Sequence, residues 1–575
     1  MSDLEPVGTS KGKLFSNPLT ASAEKSSYLV GPAQEGPDAT PNYPEGEADA
    51  YGDVEQSRTN VYGVGGVGNT HRRLTARHVT FIGFGGGIGT GLFIGTGSAL
   101  AKAGPAGLLL AYIIVGAILW CVMESLGELA TLIPQAGTFP HYATRLVDPA
   151  LGFTLAISYG YCYTIAIASE VSAAAIVVSY WTDITPAVVI TVGLALIFLI
   201  NILNVRFFGE AEVITASIKV LCFVGLIIVS LVITLGGAPD HDRIGFRYWT
   251  NPGAFTDFNG ITGATGHFLG FFSAFINASF SFIGVETVVI AAAETANPLR
   301  SIPKATKRVT YRICFFYVIG ALLIGMIVPY NDPNLASDSG NANSSPFVIA
   351  IKNAGIPVLG SVVNACILVS AWSAGNSYCY IGARIIVAMA VDRQLPQCFS
   401  RVNKRGVPYY AVIASFLFGP LAYLSLGSGG ASQAFTWILN LSTVAGLLAW
   451  MTLCICFIRF YAGCKAQGLD RNTLPYKGRF QPYAAWVGAI GSLIITVFSG
   501  FSVFLKGNWS PANFVASYIG IPIFVVPFVL WKLFKRTRFV RASEMDLYSG
   551  RFDPSEAPEE HTPTSWWGKF LDWLF

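Results

Sequence analysis

The chain is short of charge. Of its 575 residues only 12% are Asp, Glu, Lys or Arg, against the roughly 25% of a soluble domain. A large soluble core would not keep charge out of so many consecutive windows. Instead, apolar blocks near the ~20 residues that cross a ~30 Å hydrocarbon layer follow one another, and the connections hold most of the charge. Paired cysteines are missing too: ten are present, none in a CxxC arrangement. Cys121, Cys162, Cys222 and Cys314 lie inside apolar blocks and read as small buried hydrophobes, not as metal ligands or a disulfide framework. His78 and His241 stand alone, with no HExxH or HxxxH, and no nucleophile has a base at fixed spacing. A metal site and an enzyme are therefore not expected. A repeated pore-loop segment, which a channel filter would need, is also lacking.

What is present is a succession of spans. Residues 1–75 are rich in Pro, Gly, Ser, Asp and Glu without a sustained apolar face, which predicts a disordered tail. No apolar core follows the first methionine, so no cleavable signal is expected and the tail should stay cytosolic. Twelve spans follow, near 80–101, 109–133, 151–180, 186–204, 212–236, 265–292, 309–329, 357–387, 408–427, 433–460, 484–505 and 514–534. They group as a first set of five (76–236), a second set of five (265–460), two further helices (484–534) and a second tail (535–575). "RSIPKATKRVTYR" at 300–312, "RVNKRG" from 401 and "WKLFKRTRFVR" from 531 fall on one side, whereas "VPYNDPNLASDSGNANSSP" opposite them has no Lys or Arg. The positive-inside rule then puts both tails in the cytosol. Sequons at Asn343 and Asn508 fall in outside loops and are candidate glycosylation sites. Those at Asn277 and Asn440 fall inside spans, out of reach.

"GFGGGIGTGLFIGTG", residues 83–97, puts eight glycines into fifteen positions. Each glycine costs roughly 1 kcal/mol in a helix interior. One reading is close packing, since Gly87, Gly91 and Gly95 make two overlapping GxxxG steps. The other is a broken helix, whose free N–H groups and half-helix dipole face an anionic ligand. Both hold together if each uses its own face. In span 6, "FSAFINASFSFIGVETVVIAAAE" at 272–294 is interrupted by "SFSFIGVE". Two breaks five spans apart suggest two five-helix repeats facing each other, with a site at the membrane midplane.

Ionisable residues at membrane depth are functional suspects by default. Glu124 and Glu128 lie one turn apart in span 2, Glu170 in span 3, Lys219 in span 5, Glu286 in span 6 and Arg384 in span 8. Glu128 and Arg384 read as pairing groups near the cytosolic side, and Glu212 as facing the headgroups. Lys219, apolar on both sides, suits the place of a fixed sodium ion between spans 1 and 5. Desolvation penalises the charged form of any buried carboxyl, so a glutamate is the expected carrier of a travelling proton. The candidates are Glu170 and Glu286, then Glu124.

Long stretches also carry a resemblance. "RRLTARHVTFIGFGGGIGTGLFIGTG" at 72–97, "FGEAEVITASIKV" at 208–220, "FSFIGVETVVIAAAETANPLRSIPKA" at 280–305, "SAWSAGNSYCYIGAR" at 370–384, "KRGVPYYA" at 404–411, "LPYKGRFQPY" at 474–483 and "SEMDLYSGRFD" at 543–553 resemble the fungal plasma-membrane amino acid permeases. These are a branch of the amino acid, polyamine and organocation transporters. The resemblance implies an all-α membrane protein of twelve transmembrane helices with the 5+5 inverted repeat of the sodium-coupled leucine transporter fold, helices 1 and 6 being discontinuous. It implies that N–H groups around Gly87, Ile88, Gly89, Thr90 and Gly91 receive a substrate carboxylate. The ammonium would meet carbonyls from Ser279 through Phe280 to Ile283, with Phe282 as a lid. Lys219 matches the family's lysine at a sodium position and argues for proton coupling. The implied activity is import of L-amino acids with a proton across the plasma membrane. "NSSPFVIAIKNAGIPVLGSVVNACILVSAWSAGNS" from 343 looks like a subgroup that includes acidic amino acid carriers, although "CYIGAR" and "ILNLSTVAG" depart from the usual pattern. A general or neutral permease and a non-transporting nutrient sensor remain open. The expected partners are the substrate, a proton, the bilayer and a ubiquitin-ligase adaptor at the tails, where Lys11, Lys13 and Lys25 are available. No cofactor and no nucleic acid are expected.

Overall fold

Prolines and short capping side chains set where the apolar runs become helices. The computed structural model describes residues 81–551 with 565 and 566, except 82, 84–86, 88, 135–138, 204, 240, 294, 296, 336–344, 404, 405, 427–429 and 550. The expected tail 1–75 with its lysines, Ile88 and the Asn343 sequon therefore lie outside the described residues.

The helices are α1 (Thr96–Leu132, preceded by a π-turn at Gly91–Gly95), α2 (Phe139–Leu146), α3 (Pro149–Val178), α4 (Pro186–Leu203), α5 (Val205–Thr234), α6 (Gly263–Phe282), α7 (Thr287–Ala293), α8 (Pro298–Ile327), α9 (Pro346–Asn353), α10 (Pro357–Val391), α11 (Tyr409–Ser415), α12 (Gly430–Ala466), α13 (Tyr483–Val497), α14 (Pro511–Tyr518) and α15 (Gly520–Lys535). Among the described residues there is no strand, only one bridge between Phe258 and Ile261. Proline stands at the start of α3, α8, α9, α10 and α14, where its missing N–H costs nothing. Asp148 caps α3 by accepting from Ala150 N at 2.7 Å, Asn297 caps α8, and Ser510 caps α14; each satisfies an amide the helix leaves open.

Ten helical stretches among the described residues are long and apolar enough to cross a membrane, or eleven if α14 and α15, bent by 53°, count as one. The first of them, Gly91–Leu132, covers the ground of two expected spans. Its direction changes at Gly104, whose φ of 73° and ψ of 171° are not helical and suit only glycine.

α3 lies at the centre: 89% of its apolar window is buried, against 22% for α4. On α4 the exposed Val188, Val192, Leu196, Leu199 and Leu203 form a lipid-facing stripe. α1 packs chiefly against α6 and α8, while α3 packs against α10 and α12. These two groups enclose the candidate site. The residues after α15 fold back onto the helix ends. Lys532 pairs with the buried Asp148, Thr537 donates to the same carboxylate at 2.7 Å, Arg145 pairs with Asp546 at 2.9 Å, and Leu547 is buried.

Candidate functional site

The glycine run has two working faces. On one, a methyl at Gly91 would stand 2.8 Å from the Phe280 ring and from Ser281 Oγ, one at Gly95 2.2 Å from Asn277 Nδ2, and one at Gly87 3.0 Å from Ile313. Gly87, Gly91 and Gly95 thus form the close-packed ridge against α6 and α8 that GxxxG spacing allows. Gly89 faces the other way: its methyl would come 3.0 Å from Glu170 Oε1 and 3.6 Å from Tyr378 Oη. Tyr317 donates to the Gly87 carbonyl. Tyr112 donates to Asn277 Oδ1 at 3.2 Å and is hydrogen-bonded to Ser281 Oγ at 2.8 Å, so α1, α6 and α8 are held by hydroxyls as well as by packing.

α6 ends at Phe282 and the helix resumes at Thr287. Ile283 is extended, with ψ 136°, and Gly284 has φ 102°. Gly284 N donates to Glu286 Oε2 at 3.1 Å. The amides of Val285, Thr287 and Val288 return to Phe282, Gly284 and Val285, which leaves the carbonyls of Phe280, Ser281 and Ile283 outside the ladder. The Ser279 carbonyl accepts from Ile283 N at 3.0 Å. Its hydroxyl is buried without a partner. Phe282 points away from the break toward Tyr317 and Tyr112, with ring centroids 4.8 and 5.9 Å away. Phe280 instead packs beside Gly91 and edge-on to Phe435 of α12 at 6.4 Å, between the two groups of helices where a cover would have to be.

The buried carboxyls differ in their surroundings. Glu286 has partners on both oxygens: Oε1 accepts from Tyr159 at 2.9 Å and Tyr163 at 3.2 Å, and Oε2 from Gly284. It ties the restart of the broken helix to α3. Glu170 is the opposite case. The Thr90 hydroxyl and amide bear on it, yet neither carboxyl oxygen nor the Thr90 hydroxyl reaches hydrogen-bond geometry. Buried polar atoms without partners are few in folded chains and call for an explanation. Lys219, wholly buried, acts electrostatically on Glu170 and, more strongly, on Glu212. Glu212, expected among the headgroups, is instead 1% exposed: Ser373 of α10 donates to both its oxygens at 3.1 Å.

Glu124 and Glu128 stand apart from this site. Glu128 receives a bidentate Arg471 at 2.7 Å for each bond, and the Gly478 amide at 2.7 Å. Glu124 accepts from Tyr476 at 2.7 Å and from Arg479 N at 2.9 Å. Burial, and then the bond to Glu124, push the Tyr476 hydroxyl well above its ordinary range. The pair anchors the loop after α12 to the end of α1. Asn508 is exposed in the turn before α14. Arg384 lies over the Tyr380 ring at 4.3 Å, at the end of α10. Sequence reasoning did not single out Tyr159, Tyr163, Tyr317 or Tyr378, and it gave Glu212 only a place at the headgroups. The i, i+4 spacing of Tyr159 and Tyr163 on a span with an intramembrane Glu was an available signal; Tyr378 had none.

The amino acid permease family model matches residues 78–544. The chain is 44% identical over 522 residues, 87% of its length and 82% of the relative's, to the proline-specific permease of Saccharomyces cerevisiae. It is 40% identical over 527 residues, 88% and 86%, to the dicarboxylic amino acid permease of the same organism, and 39% identical over 487 residues, 84% of each, to its basic amino-acid permease. Among solved structures it is similar to a manganese transporter of Eremococcus coleocola with a TM-score of 0.50 at 16% identity, covering 86% of this chain and 96% of that one. At that identity the likeness concerns the fold, a leucine-transporter-like arrangement of helices.

Proposed function

The chain belongs to the amino acid permease family, and from that premise we propose that it imports L-amino acids with uncharged side chains, proline among them, coupled to a proton. It is a multi-pass membrane transporter, not an enzyme. We read it as a twelve-span plasma-membrane protein with both termini cytosolic, taking Gly91–Leu132 as the outer part of span 1 together with span 2.

One observation carries the reading. The glycine strip at 89–91 lies between Glu170 and the broken helix α6–α7, where Glu170, Thr90 and Ser279 keep buried oxygens without partners. A zwitterion entering there would find amides of the strip for its carboxylate, and the carbonyls of Phe280, Ser281 and Ile283 for its ammonium. Phe280 is the ring we assign to the cover. Glu170 is our carrier of the coupled proton in preference to Glu286, whose acceptor sites already hold three donors. Glu124 is bound up in the loop after α12 and is set aside.

The neutral preference rests on charge. Glu170 stands at the strip and Glu286 at the break, and Lys219 is the cation that acts on Glu170, a balance that disfavours a second substrate carboxylate. The acidic reading is the second choice, supported by the likeness to the dicarboxylic relative.

The test is uptake of radiolabelled proline, leucine, glutamate and arginine by permease-deficient cells at outside pH of about 5 and about 7.5, with and without a protonophore; the membrane potential contributes ~2.3 kcal/mol per charge per 100 mV to a symporter. Proline or leucine uptake that collapses with the protonophore is expected. Glu170→Gln should abolish the dependence on outside pH. Dominant glutamate uptake would overturn the neutral preference, and absence of flux with normal surface expression would favour a sensor.

A further inference from the structure

Glu212 is a wholly buried carboxyl to which the uptake reaction as described so far gives no part. It lies two helical turns before Lys219 on α5, about 10.5 Å along the axis at 1.5 Å per residue. Lys219 acts electrostatically on both Glu212 and Glu170, and α10 touches both carboxyls: Ser373 donates to Glu212, and two residues on a methyl at Gly375 would stand 3.5 Å from Glu170 Cβ. Among the described residues the cluster therefore holds one ammonium and two carboxyls. With every group charged it would carry one uncompensated negative charge, and burying such a charge is expensive. One proton removes that cost, and either carboxyl can hold it.

The surroundings of Glu212 accept both states. Ser373 donates to Oε1 and Oε2 at 3.1 Å each, and Thr215 donates to Ser373 at 2.9 Å. A hydroxyl is donor and acceptor alike, so this chain reverses when the carboxyl itself carries the proton. The other charged groups on helices packed against α5 are Arg300, Lys304, Lys307, Arg308 and Arg312 in the first half of α8, Lys352 on α9 and Arg384, which lies over the Tyr380 ring that stacks on Phe208 of α5. α4 carries none, and Glu210 is exposed. Lys219 is the charge that acts on Glu212.

We infer that Glu212 is the release carboxyl of the proton path, taking the coupled proton from Glu170 and passing it to the cytosolic side. The step moves one proton and no electrons. Glu170 begins as the acid and ends as the carboxylate, Glu212 does the reverse, and Lys219 keeps its charge, so the cluster stays neutral during the transfer; release from Glu212 leaves one negative charge, which the next proton at Glu170 removes. With the termini cytosolic, the start of α5 faces the cytosol, and Glu212 is the member of the cluster nearest that side. This inference rests on the proton-symport reading proposed above.

The experiment uses the full chain in proteoliposomes with radiolabelled proline, or with the preferred substrate of the uptake assay. It measures pH-driven accumulation, proton influx by an internal pH dye, and exchange of labelled for unlabelled substrate without a gradient. Glu212→Gln is expected to lower accumulation and protons per substrate by about tenfold or more and to flatten the pH profile, while exchange falls less than about threefold. Glu212→Asp is expected to restore the pH profile. Unchanged accumulation and pH profile in Glu212→Gln would overturn the inference. So would equal loss of exchange and accumulation in both variants when each elutes as a monodisperse species, since that is a packing role. Absence of pH-driven accumulation in the wild type overturns the symport reading itself, and is seen before any variant is made.

Discussion

Gly89 is the described glycine of the strip that faces a buried carboxyl. Its helix neighbours Gly87 and Gly91 lean on apolar side chains and on α6, but a methyl at Gly89 meets the Glu170 carboxyl at 3.0 Å and Tyr378. Gly89→Ala should therefore cost about tenfold or more in uptake, because misplacing a binding group by about an ångström has that effect. Uptake normalised to surface-biotinylated protein measures it. Gly209→Ala, with nothing within 4 Å of the new methyl, should stay within about twofold. The cost of so many glycines was legible in the sequence, as were two helix faces with different duties. Which glycine looks at which carboxyl was not, since Glu170 and Tyr378 arrive from helices remote in the chain.

At the scale of an element, the break after α6 and the loop after α12 rest on different devices. The first is held by Glu286 between the Gly284 amide and two tyrosines of α3. The second is held by Glu128, 0% exposed in its side chain, against Arg471. Removing one partner of a buried pair leaves an uncompensated charge, at about 3–5 kcal/mol. Arg471→Ala should lower the thermal midpoint in detergent and reduce surface expression, and adding Glu128→Gln should recover part of both. A single variant no less stable than wild type would contradict this account. The pairing of Glu128 near the membrane boundary was foreseeable from its place in span 2. The partner was not, because 343 residues separate the two.

For the molecule as a whole, the segment after α15 links helix ends that are far apart in sequence. Asp148 caps α3 while holding Lys532 and Thr537, and Arg145 holds Asp546. Asp148→Asn keeps the cap to Ala150 but gives up the charge facing Lys532. It should release the segment from about 536 onward to protease, with a stability loss of roughly 1–3 kcal/mol. Limited proteolysis of membranes checks this; protection equal to wild type would count against the segment's attachment through Asp148. Heavily hydrophobic composition predicted a helical membrane protein, and a second tail was expected from 535. Attachment of its first part depends on groups too scattered to read along the chain.

The sequence by itself determined the class: apolar blocks of membrane length leave the backbone no choice but helices, because lipid offers no hydrogen bonds. It also determined that "SFSFIGVE" would interrupt one of them. Only the tertiary structure decided what each buried charge does. Glu124, Glu170, Glu212 and Glu286 look alike in their apolar settings, yet one anchors a loop, one keeps both oxygens unpaired beside the glycine strip, one answers to Lys219 and Ser373, and one caps a broken helix. The reason is physical. A carboxyl's behaviour follows from which donors and cations stand within a few ångströms of it, and in a bundle of helices those neighbours come from other spans.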